Sequence, residues 1–132
     1  MLRVAGVLGG ILGLGFGIPG IVAIAHFART GEVWTLMGYP TYGGGPFESH
    51  GLKTSVPLLV AFVAVCAAET VDGVLLWRRS RGGVIGSIIL LPFELFFWWG
   101  FALPFGPLLG IPRTVLAIVG WRASIRAART RV

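Results

Sequence analysis

Charge is what this chain has least of. Aspartate and glutamate together number five in 132 residues, and lysine occurs once. Charged residues make up 12%, about half the share of an ordinary soluble domain. A water-soluble fold of this size would have too few charges to cover its surface. Cysteine occurs once, as Cys66, which excludes an internal disulfide and any paired-cysteine zinc or redox motif. Catalytic signatures are missing too. There is no Ser-His-Asp set, no HExxH helix and no dinucleotide fingerprint, and Gly43-Gly44-Gly45 lacks the Lys-Ser/Thr that completes a phosphate loop. No catalytic residue, cofactor or metal is expected, and the chain is not read as an enzyme.

What is present is apolar. Hydrophobic residues make up 55% of the chain. A spanning helix needs about 20 mainly apolar residues. Four stretches qualify, at 4–25, 56–77, 84–103 and 104–121, separated by one sizeable loop at 26–55. The expected fold is therefore all-α: one integral membrane domain over 1–132, a four-helix transmembrane bundle with a structured outer loop. A cleaved signal peptide is the rival reading of the first stretch, but its run of about 20 apolar residues exceeds the 7–15 of a signal's hydrophobic region.

The basic residues give an orientation. With the N-terminus inside, that side holds eight arginines: Arg3, Arg78, Arg79, Arg81, Arg122, Arg126, Arg129 and Arg131. Only Arg29, Lys53 and Arg113 fall outside or within spans. This positive-inside bias predicts N-in, C-in. Trp77-Arg78 and Trp121-Arg122 both fall where interfacial anchors are expected, with Arg79 and Arg81 completing the turn between spans 2 and 3. Those arginines are expected to meet anionic lipid headgroups. The net charge of +6 does not indicate nucleic acid, because no basic face carries interleaved aromatics. Ten arginines against one lysine, beside 21 glycines, suggest a GC-rich genome and a multi-pass protein of a bacterial inner membrane.

Span 1 carries overlapping GxxxG spacings. Gly6, Gly10, Gly13, Gly17 and Gly20 form one stripe at helical spacing, a surface for close helix packing. Its partner is either another span of the same chain, the preferred reading, or a second copy. Pro19 should bend this helix. The loop holds Trp34, Leu36, Met37, Tyr39, Tyr42 and Phe47, too apolar for a solvated linker, and is expected to fold back and cap the bundle. Span 3 concentrates Phe93, Phe96, Phe97, Trp98, Trp99 and Phe101 in one half, read as lipid contact and an aromatic belt. Span 4 is interrupted by Pro104, Pro107 and Pro112. It is expected to be broken or re-entrant, or to begin nearer Ile111 and run on past Arg122.

Three of the five acids lie within spans: Glu69, Asp72 and Glu94. A charge at the bilayer centre costs about 3 kcal/mol on insertion scales, so each needs a partner. Counting about 1.5 Å per residue puts Glu94 roughly 15 Å into span 3 and Arg113 roughly 13–14 Å into span 4. An ion pair between them is expected. Glu69 and Asp72 share a helical face, with Arg78, Arg79 or Arg122 in reach. Asp72 could snorkel, and Glu69 could instead reach Arg113. In the loop, His26, Glu48 and His50 are candidate ligands for a metal, but their spacing is no helix-face pattern and ordinary polar roles are preferred.

Length and span number resemble those of small multidrug transporters and fluoride channels, which are four-span dimers. The residues do not follow, since those transporters carry a glutamate in span 1 and this span has no acid. The preferred function is a structural or accessory membrane component acting through helix contacts. The alternatives are a small homo-oligomeric transporter or channel using Glu94, Arg113 and Glu69, and a lipid- or quinone-binding membrane enzyme with the loop over the span 3 aromatics.

Overall fold

The computed structural model describes residues 1–130, so Arg131 lies outside the described residues. Helix α1 spans Leu2–Thr30, and a loop with a two-residue hairpin follows (β1 Thr35–Leu36, β2 Tyr39–Pro40, antiparallel). A single helical turn, α2, covers Pro46–Ser49. Three long helices complete the chain: α3 Val56–Trp77, α4 Arg81–Gly100 and α5 Phe105–Arg129. The long helices pack in a ring: α1 on α3, α3 on α4, α4 on α5 and α5 back on α1. All four are long and apolar enough to cross a membrane.

The outward faces explain why the chain suits hydrocarbon. Ile18, Ile89 and Leu108 are among the exposed side chains, at 59%, 59% and 66%. A contiguous apolar surface of this kind is a liability in water. Against lipid it costs nothing, while the helices satisfy their backbone groups internally.

Local chemistry sets the helix ends. Ser55 caps α3, its hydroxyl accepting from the Leu58 N–H at 3.4 Å, and Ser80 caps α4 through the Gly82 N–H at 3.1 Å. The turn from α3 to α4 closes with paired bonds from Arg79 N–H to Leu76 O (2.9 Å) and Ser80 N–H to Leu75 O (2.9 Å). The turn from α4 to α5 repeats the pattern, from Ala102 N–H to Trp99 O (3.2 Å) and Leu103 N–H to Trp98 O (2.8 Å). This is the Schellman arrangement, which needs a left-handed residue. Arg79 (φ 58°) and Ala102 (φ 53°) fill that position where glycine is usual.

Helix α5 departs from the sequence expectation. It is one helix that starts at Phe105 rather than near Ile111 and is neither broken nor re-entrant, while its run to Arg129 matches the expected alternative that continues past Arg122. Pro104 precedes the first turn, and Pro107 lies within it, where an N–H would have no helical partner anyway. Only Pro112 removes an internal bond, the one that would reach the Leu108 carbonyl. Helix α1 likewise runs unbroken through Pro19 and reaches Thr30, so the loop proper begins at Gly31.

The loop is fastened into the bundle. Tyr42 and Phe47 are 2% and 4% exposed and join Phe62, Phe97 and Phe101 in one aromatic cluster. The Tyr42 hydroxyl donates to the Phe16 carbonyl of α1 at 2.8 Å. Burial pushes the Tyr42 phenol above its ordinary pKa, so it remains a donor. Phe47 lies flat on Gly100, where any Cβ would collide with its ring.

Candidate functional site: a buried ion pair and a basic rim

Helices α3, α4 and α5 each send a charged side chain to the bundle interior. The Arg113 guanidinium donates to both oxygens of Glu94, Nη1 to Oε1 and Nη2 to Oε2, each at 2.8 Å. Two parallel charge-assisted bonds are the strongest geometry such a pair can take. Nη2 also reaches the Thr114 hydroxyl at 3.3 Å, and that hydroxyl donates in turn to the Gly110 carbonyl at 3.0 Å. Glu69 Oε1 stands 3.9 Å from Nη1, close enough for Coulomb attraction but without a hydrogen bond. Arg113 and Glu94 are 0% exposed and Glu69 1%, so no water-sized sphere enters the pair.

Asp72 is elsewhere than the sequence suggested. It does not snorkel and does not pair with Arg78, Arg79 or Arg122. At 3% exposure it accepts from the Ser87 hydroxyl of α4 at 2.6 Å, while its Oδ1 presses on Gly86 without a hydrogen-bond partner. The interior thus holds three carboxyl groups and one guanidinium. Arg113 Nε is also without a hydrogen-bond partner.

The glycine stripe meets α3 of the same chain. An added Cβ at Gly6 would fall 2.7 Å from the Gly73 carbonyl oxygen. At Gly13 it would collide with the Thr70 hydroxyl, at Gly17 it would fall 3.2 Å from the Cys66 Cβ, and at Gly20 2.8 Å from Val63 Cγ2. Gly10 departs from the expectation, because a Cβ there meets nothing within 4 Å. Gly9 takes its place, since a Cβ added there would fall 3.1 Å from Gly73 Cα. The helix turns about 100° per residue, so the contact line drifts from a fixed spacing of four to its neighbour.

The residues expected to act as anchors gather at one end. Met1, Arg3, Arg79 and Ser124 wall a common cleft there, and the Arg3 guanidinium sits 5.4 Å above the Trp77 ring. Trp77, Arg78, Arg79, Arg81 and Arg122 are exposed, whereas Trp121 is half-buried against Leu2, Ala5, Leu76 and Ala117. At the opposite end, Glu48 accepts from the Thr54 hydroxyl at 3.4 Å, and the His50 Nδ1 lies 2.8 Å from the Pro46 carbonyl. His26 is half-buried near the end of α1. The candidate loop ligands do not converge. Among the described residues, no three His, Cys, Asp or Glu side chains come together as a metal site.

Sequence reasoning missed several participants. Trp98 is 3% exposed rather than in a lipid-facing belt, and its indole lies along α5 against Gly106 and Gly110, leaving no room for a Cβ at either. The signal was a second small-xxx-small spacing opposite an aromatic. Phe97 and Phe101 are likewise inside, while Phe93, Phe96 and Trp99 face outward. Ser87 and Thr114 were visible only as small polar residues inside apolar helices, which in lipid must find partners. No family model matches the chain, and neither a curated protein nor a solved structure matches it closely enough to lend it a family, a fold or a function.

Proposed function

We propose that this chain is a small multi-pass protein of a bacterial inner membrane, N-in and C-in. It acts as a structural or accessory component through helix and lipid contacts rather than as a pathway for ions. The observation that carries this reading is the dryness of the Glu94–Arg113 pair. A transport route needs its charges to meet water at some point. Here both partners are 0% exposed and doubly hydrogen-bonded to each other. An enclosed pair of this kind fixes helix register: α4 and α5 cannot slide by a turn without stranding a charge.

The orientation rests on the basic rim. Seven described arginines lie at the end formed by the start of α1, the α3–α4 turn and the end of α5, against Arg29 and Lys53 at the loop end. The positive-inside rule places that rim in the cytoplasm and the aromatic loop outside. A reporter that fluoresces only in the cytoplasm, fused after residue 132, should light up, and the same reporter inserted near Gly38 should stay dark.

A second reading, a homo-oligomeric transporter, draws support from Glu69 and Asp72, whose Oε1 and Oδ1 lack hydrogen-bond partners. One experiment divides the two. Protein reconstituted in liposomes should pass protons and monovalent cations no faster than empty vesicles, and Glu94→Gln should lower the melting temperature in detergent. Wild-type flux lost in a Glu94→Gln protein of unchanged melting temperature would establish transport instead.

A further inference from the structure

Among the described residues, the basic rim contains no aspartate or glutamate. Arg3, Arg78, Arg79, Arg81, Arg122 and Arg126 are all exposed, and both ion pairs among the described residues belong to Arg113 in the interior. The exposed carboxylates, Glu32 and Glu48, sit at the opposite end. A cleft of 360 Å³ opens into this rim between the start of α1 and α5, walled by Arg3, Arg79, Gly120 and Ser124. Two planar guanidinium groups on one cleft, with no carboxylate paired to them among the described residues, fit a phosphate, which accepts forked hydrogen bonds from arginine.

Arg3 links this cleft to a second feature. Its guanidinium covers Trp77, and Trp77 walls the lower end of an apolar groove along the α1–α3 seam. The lower part of the groove, 240 Å³, runs past Gly6 and Gly10. The upper part, 260 Å³, runs past Gly13 and Gly17 to Ile21, and Leu14 and Thr70 wall both. From Gly6 to Ile21 the helix rises roughly 22 Å, more than one leaflet's share of a hydrocarbon core about 30 Å thick. The groove is too small for a helix about 10 Å across, but it suits a polymethylene chain. It is also open because Gly10 carries no side chain toward it.

We infer that this track holds one anionic phospholipid, its phosphate on Arg3 and Arg79 and one acyl chain laid along Gly10 and Gly17. The site explains a glycine that the helix packing does not. Gly10 sits in the stripe yet touches nothing on α3 with its missing Cβ, so its smallness serves the groove. The inference deepens the proposed function, and it requires that the chain reside in a bilayer.

The test uses the full chain in a mild non-ionic detergent, with native mass spectrometry to count retained lipid. Palmitoyl-oleoyl phosphatidylglycerol should bind as one tight copy, and phosphatidylcholine of the same chains should bind more weakly. Arg3→Ala and Arg79→Ala should each weaken phosphatidylglycerol binding about fivefold. Gly10→Leu should weaken both lipids without lowering the melting temperature, because the added side chain has room. Equal retention of the two lipids, or Gly10→Leu binding both as well as wild type, overturns the site. So does displacement of the lipid by millimolar inorganic phosphate, which would mark a site for free anions. The membrane reading is scored separately: recovery of the chain in the carbonate-washed membrane fraction with no lipid selectivity sinks the lipid site alone, whereas recovery in the supernatant sinks both.

Discussion

Two of the four seams of the bundle are sealed by opposite means. Between α1 and α3 the closest approaches are backbone against backbone, with Gly6, Gly9 and Gly13 at Gly73 and Cys66, while Arg3 covers Trp77 at the end of the seam. Between α4 and α5 the seal is a guanidinium locked to a carboxylate, with the Trp98 indole laid over Gly106 and Gly110 beside it. At Gly6 and Gly13 the first seam has no room for a Cβ, and the second tolerates no lost charge. In lipid, where helices gain nothing from leaving water, close packing and polar pairing are the two remaining sources of association. This chain assigns one to each seam.

The comparison can be broken first at the ionic seam. Arg113→Met alone should cost about 3–5 kcal/mol, because it leaves Glu94 buried with no cation. Detergent melting curves should show the loss, and expression should fall with it. At the glycine seam, Gly13→Val should cost about 1–3 kcal/mol or more by overpacking against Thr70 and the Cys66 carbonyl. Gly10→Ala, one turn away, should instead be neutral or stabilise by about 0.5–1 kcal/mol, since it gains helix propensity without a clash. Equal losses from the two would show that α1 packs on α3 by another face.

Smaller effects sharpen the picture. Glu69→Gln should change the melting point far less than Glu94→Gln, because Glu69 lies 3.9 Å from Arg113 and makes no hydrogen bond to it. At the α4–α5 turn, Ala102→Gly should stabilise by about 1 kcal/mol, by relieving a left-handed residue. The same gain is expected at Arg79, offset by the loss of a rim charge.

Much of this architecture was legible in the residues. The four apolar runs marked the helices because their length matches a bilayer and little else in a chain of this composition. Depth counting brought Glu94 and Arg113 to one level, since rise per residue is fixed in a helix. The failures share a physical cause. Span 4 looked broken because proline was judged by its presence, whereas two of its three prolines occupy positions with no helical bond to lose. Trp98 was assigned to lipid and Gly10 to packing because azimuth around a helix is not set by composition. A small error in phase turns a buried face outward. The carboxyl of Asp72 found Ser87 on α4 rather than an arginine, because a short side chain cannot reach the rim from its depth.

The central claim is that the interior pair is a dry structural lock, and a double-mutant cycle at Glu94 and Arg113 tests it most directly. Melting free energies in detergent would be compared for wild type, Glu94→Gln, Arg113→Met and the double variant. The lock predicts strong coupling: each single change costs several kcal/mol, and the double change costs less than either alone. Additive single losses, or two singles that leave stability unchanged, would contradict it.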